Sequence, residues 1–216
     1  MSNEATPPPA AVRKPYTGSC HCGATRYITY LPLPHNPAPL GERKRGALRI
    51  YKCNCTPCQK AGMLHVRPPS PPDDFLLLAP ADISELGDYR CNDKQISWLF
   101  CKTCGGRCFL LAGEGEVVDV EVAGLGLSDV QLAKLGLDAS SAGSDAAPTT
   151  VRAWRPNKAT WGHRSPGYLS VQAYSLDADG GPDLAEWTEK KWVAYLDYLD
   201  ETGEDSYDRP HRGGAY

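Results

Sequence analysis

A mainly β fold with a C-terminal extension that contains an α-helix is what this sequence predicts, and three observations predict it. From Tyr16 to about Val122 the chain runs in short segments bounded by Gly, Pro and Asn. Several of these alternate at period two, the spacing that sends successive side chains to opposite faces of a sheet. Beyond Thr150 come further strand-like segments and then an apolar pattern at helical spacing.

Taken in order, residues 1–15 with Pro7, Pro8 and Pro9 read as a disordered leader. Strands are expected over Thr25 to Tyr30, Gln95 to Leu99 and Val117 to Val122. Between the first two, Leu31 to Gly46 holds four prolines and the charged run Glu42-Arg43-Lys44-Arg45, which favours a long surface loop. Ser128 with Gln131 forms a capping-box pattern for a short helix whose Leu132 and Leu135 share a face and which stops at Gly136. Residues 138–150 are small and polar, a linker or loop that separates a domain over 16–137 from an extension over 151–216 packed on it. In that extension Tyr168 to Leu176 reads as a strand. Asp183 and Glu186 cap a helix expected to run to about Asp200, with Leu184, Trp187, Trp192, Tyr195, Leu196 and Leu199 on its buried face.

Twenty-six acidic and 23 basic residues leave a net charge of −3, which disfavours non-specific binding to nucleic acid. No apolar run is long enough to cross a bilayer, and the start lacks signal-peptide character. A cytoplasmic protein is expected, with the nucleus open. Nine cysteines without an export signal point to metal binding or thiol chemistry rather than a disulfide framework.

Those cysteines form Cys20-His21-Cys22, Cys53-Asn54-Cys55-Thr56-Pro57-Cys58 and Cys101-Lys102-Thr103-Cys104, with Cys108 following and Cys91 apart. In Cys101-x-x-Cys104-Gly105 the glycine permits the tight turn that aims both thiolates at one tetrahedral ion. A structural zinc takes four ligands, and Cys20 with Cys22, also followed by glycine, best supplies the second pair. Cys53, Cys55 and Cys58 remain. Three protein ligands leave a coordination position open, as catalytic zinc sites do. The alternative is a second closed site completed by His21, His65, Cys91 or Cys108, and the sequence leaves both readings standing. Cys91 and Cys108, with no paired spacing, read as small buried hydrophobes.

Zinc held by three thiolates carries a net negative charge. It polarises water less than zinc on neutral imidazoles does, but still accepts a thiolate as fourth ligand. The expected partner is therefore a small-molecule thiol or thiol adduct. Lys52, Lys60 and Arg67 flank the triplet and are placed to offset the added charge. His21, His65 and Tyr89 are candidates for acid–base work.

Three motifs carry a family resemblance: Gly18-Ser19-Cys20-His21-Cys22-Gly23-Ala24, Cys53-x-Cys55-x-x-Cys58-x-Lys60-x-Gly62 and Phe100-Cys101-x-x-Cys104-Gly105. In this order they resemble the glutathione-dependent formaldehyde-activating enzymes, a family that also includes centromere protein V, from about Tyr16 to Val122. The resemblance implies an Mss4-like zinc-bound β-sheet fold with two zinc ions per chain. One would be closed by Cys20, Cys22, Cys101 and Cys104, the other labile on Cys53, Cys55 and Cys58. It also implies a carbon–sulfur lyase with glutathione as co-substrate, which adds the thiol to formaldehyde or reverses that addition. The loop at 31–49 is longer than in compact members of that family, and the tail is similar to extensions of longer fungal members, whose activities are diverse. Two other readings compete with the enzyme. One is a non-catalytic zinc module that binds a protein or nucleic-acid partner through Arg43-Lys44-Arg45 or the aromatic tail, the other a redox sensor. Either is compatible with a homo-oligomer.

Overall fold

Extended segments dominate the computed structural model, which describes residues 9–40, 42, 45–137, 149–200 and 205–214. Most of the expected leader, Arg43 and Lys44 of the basic loop, and residues 138–148 of the expected linker lie outside these. Twelve strands are present among the described residues: β1 (Val12–Ser19), β2 (Arg26–Leu33), β3 (Arg49–Cys53), β4 (His65–Arg67), β5 (Phe75–Ala79), β6 (Gly87–Tyr89), β7 (Ser97–Phe100), β8 (Arg107–Ala112), β9 (Gly115–Glu121), β10 (Thr150–Pro156), β11 (Tyr168–Gln172) and β12 (Ala194–Leu196). One sheet has the order β1-β2-β5-β10-β9, the other β12-β3-β4-β11-β8-β7-β6. All neighbours pair antiparallel except β12 with β3.

One core joins the two sheets. Tyr27, Leu31, Phe75, Leu77 and Trp154 from the five-stranded sheet meet Ile50, Val66, Phe109, Leu169 and Val171 from the seven-stranded one. Alternation along β2 sends Ile28 and Tyr30 the other way, onto Leu76, Ala153, Leu125 and Leu135. There the short helix α3 (Asp129–Leu135) covers the sheet. Its capping box is formed as the sequence implies: Ser128 Oγ accepts from the Gln131 N–H, and the Gln131 side chain accepts from the Ser128 N–H. Two further helices lie earlier in the chain, α1 (Thr56–Ala61) and α2 (Pro71–Asp74).

After residue 149 the chain enters both sheets. β10 lies between β5 and β9, and β11 between β4 and β8. The last helix is shorter than the spacing predicts. α4 (Leu184–Glu189) is capped by Asp183 and buries Trp187 completely, but it does not reach Asp200. Lys191 takes a positive φ of 55°, the chain turns, and 194–196 becomes β12 alongside β3. Trp192 and Tyr195 reach the same core by this route, because hydrogen bonds to β3 satisfy the backbone and an edge strand buries the apolar pattern as well as a helix would. Leu199 is left exposed. Among the described residues no helix is long and apolar enough to cross a membrane.

Candidate metal centres

Two cysteine groups form. Cys20, Cys22, Cys101 and Cys104 place their sulfurs within 4.8 Å of one another, and so do Cys53, Cys55 and Cys58. Each group is able to hold a metal ion, and the chain divides the seven cysteines as their spacing predicts.

The four-sulfur group is made by two turns. Past β1, the Gly23 N–H donates to the Cys20 carbonyl, and Gly23 adopts a φ of 75°. Between β7 and β8, the Gly105 N–H donates to the Cys101 carbonyl, with Gly105 at 73°. Both geometries are left-handed, which favours glycine. Cys22 Sγ lies 3.6 Å from Cys20 Sγ and 3.6 Å from Cys101 Sγ. A tetrahedral zinc with arms of about 2.3 Å has edges of about 3.8 Å, so the spacing fits. Gly106 is packed against this cradle: a Cβ there would lie 3.1 Å from Cys20 Cβ and 3.3 Å from Cys104 Sγ. The Cys104 backbone N–H, pointing at Cys101 Sγ, is the main cause holding that thiol down to about 6.

The triplet is built differently. Cys53 ends β3, Cys55 caps α1, and Cys58 lies buried within that helix, which closes at Gly62 with φ 60°. Asn54, between them, is 2 % exposed and fully engaged. Its amide donates to Asp197 at 2.7 Å and to the Arg212 carbonyl at 3.0 Å, while its oxygen accepts from the N–H groups of Tyr198 and Leu199. The C-terminal segment thus clamps the loop that carries the sulfurs. Hydrogen bonding from Cys53 holds Cys55 down to about 3, whereas its bond to Cys55 pushes Cys53 up to about 11. Cys58 is also raised, chiefly through Cys53. One thiolate shared among three sulfurs is what such crowding permits until a cation joins them.

His65 Nε2 lies 3.2 Å from Cys58 Sγ and its Nδ1 lies 2.9 Å from Ser170 Oγ. Burial lowers its pKa to about 4, so the ring is neutral. It contacts the triplet through Cys58 but does not belong to the compact group of sulfurs. The other expected fourth partners lie elsewhere. His21 lines a hollow beside Cys20, and Cys108 is buried in the core there, where burial pushes its thiol up to about 12. Cys91 lines the same cavity as the triplet.

That cavity, about 440 Å³, is assembled by strand alternation. Arg49, Tyr51 and Cys53 share one face of β3, and the register sets Arg67 opposite Arg49 and His65 opposite Tyr51. Tyr168 from β11, Trp98 from β7 and Leu196 from β12 complete the wall. Tyr51 stacks on His65 at 4.5 Å, and the hydroxyls of Tyr51 and Tyr168 lie 2.9 Å apart. Burial raises both phenols above their usual range, so both are protonated near neutrality. Of the three cations flanking the triplet in sequence, only Arg67 lines this cavity. Lys52 lies 5.8 Å from the Tyr174 ring, and Lys60 lines an adjoining hollow with Tyr89. The sequence does not mark Arg49, Tyr51 and Tyr168 as cavity-lining residues, although an alternate-residue reading of 49–53 points to the first two.

No family model matches the chain. Among solved structures, a Rhodobacter sphaeroides protein from a structural-genomics programme is similar over 44% of this chain and 72% of its own, at 21% identity and a TM-score of 0.32. That likeness is too loose to fix a fold family or a function.

Proposed function

We propose that the protein is a two-zinc carbon–sulfur lyase that makes or breaks thiol–aldehyde adducts, as its motif resemblance to the glutathione-dependent formaldehyde-activating family implies. One observation carries the reading: three clustered sulfurs, rather than four, face a cavity large enough for a small molecule. The donor set suits zinc, being all thiolate with a neutral imidazole hydrogen-bonded beside it. A zinc ion bound there supplies the positive charge that keeps an incoming thiol deprotonated near neutral pH.

The chain's own groups do the rest. Arg49 and Arg67 hold a carboxylate of the substrate at the cavity wall. Addition of thiolate to an aldehyde forms one carbon–sulfur bond, moves the carbonyl pair onto oxygen and requires one proton there. The Tyr51–Tyr168 hydroxyl pair is the donor. Within it one hydrogen bridges the two oxygens and the other is free to be given to the nascent alkoxide. In cleavage the pair takes the adduct's hydroxyl proton only after one of its own protons has gone to solvent, because both phenols are protonated near neutrality. Trp98 and Leu196 exclude water from this end.

Exchange spectroscopy on mixtures of formaldehyde with glutathione and other acidic thiols tests the reading. Zinc-loaded protein should accelerate adduct exchange, Cys55→Ser should abolish the acceleration, and Tyr168→Phe should reduce it by roughly 10²-fold. No acceleration with any thiol in the panel would overturn it.

A further inference from the structure

Arg49 and Arg67 are direct cross-strand partners on β3 and β4. Like charges in such positions repel, yet among the described residues neither forms an ion pair. Each guanidinium instead lies over a tyrosine ring, Arg67 at 4.5 Å from the Tyr168 centroid and Arg49 at 5.2 Å from that of Tyr51. Stacking fixes a guanidinium without using its N–H donors. A second hollow of about 490 Å³ opens on their other side, where Arg45 and Trp161 join them. Pro68 and Pro69 form part of its wall and contribute no N–H groups, and Arg45 likewise has no ion-pair partner among the described residues.

We infer that this three-arginine cleft binds a multiply charged anionic group, phosphate or clustered carboxylates, borne on the far end of the molecule whose sulfur reaches the cysteine triplet. The two hollows meet at Arg49 and Arg67, which line both. Arg49 and Cys53 are four strand residues apart, about 13 Å at ~3.3 Å per residue, and the arginine side chains shorten the gap the ligand must bridge. These arginines, unpaired among the described residues, thus select an elongated acidic thiol over a small neutral one. Only the sulfur end of this inference rests on the reading in the previous subsection.

Calorimetric titration of pyrophosphate and, separately, citrate into the zinc-loaded full chain at low salt tests it and separates the two anion sources. At least one should bind saturably, and affinity should fall about tenfold or more in Arg67→Gln and in Arg45→Gln, with no change in Arg152→Gln, which lies on β10. Tighter pyrophosphate binding assigns a phosphate-bearing thiol, tighter citrate binding a polycarboxylate one. Arg45 is exposed, so its variant keeps the test valid even if Arg67→Gln disturbs packing against Tyr168. Absence of saturable binding, or binding that survives both substitutions, overturns the cleft. Folded Cys55→Ser protein should retain the anion affinity; loss there would assign the anion to the metal centre and also overturn the inference. Retained affinity in a protein without adduct chemistry would leave the cleft standing while the lyase reading fails.

Discussion

The two cysteine groups use the same ligand chemistry and differ in what holds them. The four-sulfur group is shaped by its own short turns, with Gly23 and Gly105 in left-handed conformations and backbone N–H groups aimed at carbonyls and sulfurs within a few residues. The triplet depends on distant chain. Asn54 is tied to Asp197, Tyr198, Leu199 and Arg212, His65 to Ser170, and Tyr51 to Tyr168. A self-sufficient set of four ligands suits a staple, whereas the proposed open site requires that a set of three held by a surrounding network exchange its metal or accept a ligand without loss of the sheets.

The largest expected effect separates the two. Cys104→Ser removes one of four ligands from a group that joins the β1 end to the β7–β8 turn, and structural zinc contributes on the order of 10 kcal/mol to folding. Circular dichroism should show no cooperative thermal transition. Cys55→Ser should melt cooperatively and bind one zinc fewer. A cooperative Cys104→Ser protein would erase the distinction.

Next in size is Asn54→Ala. It removes the acceptor of the part-buried Tyr198 and Leu199 N–H groups and the donor to the buried Asp197 carboxylate, at a cost of about 2–3 kcal/mol in urea unfolding, and it frees the triplet loop. The smallest effect belongs to His65→Phe, which keeps the ring over Tyr51 but loses the contact with Cys58 Sγ. Zinc affinity at the triplet should fall roughly tenfold in chelator competition while the tighter zinc is unaffected. Equal weakening of both sites would show that the network is shared.

The same contrast explains what could be read from sequence. C-x-x-C-G and C-x-C-G are local patterns whose turns follow from glycine and ligand spacing, so the grouping of seven cysteines was legible. The β character of the strands was legible from alternation, and the Ser128–Gln131 cap from its motif. The surroundings of the triplet were not, because β11 and β12 reach β4 and β3 by long-range pairing that leaves no local mark. The early end of the last helix, at Glu189 rather than near Asp200, has the same origin. Trp187, Trp192, Tyr195 and Leu196 fit a helical stripe, but an available edge of β3 took 194–196 as a strand. Arg49 stands beside a charged loop, where a surface role is the default, so nothing local marks it as a cavity residue.

The most direct test of the division between the two centres is zinc per chain, read by native mass spectrometry during a graded chelator challenge, with circular dichroism on the same samples. The account predicts two steps: from two zinc ions to one with the sheets intact, then loss of the second together with the fold. Release of both ions in a single step that coincides with unfolding would contradict it.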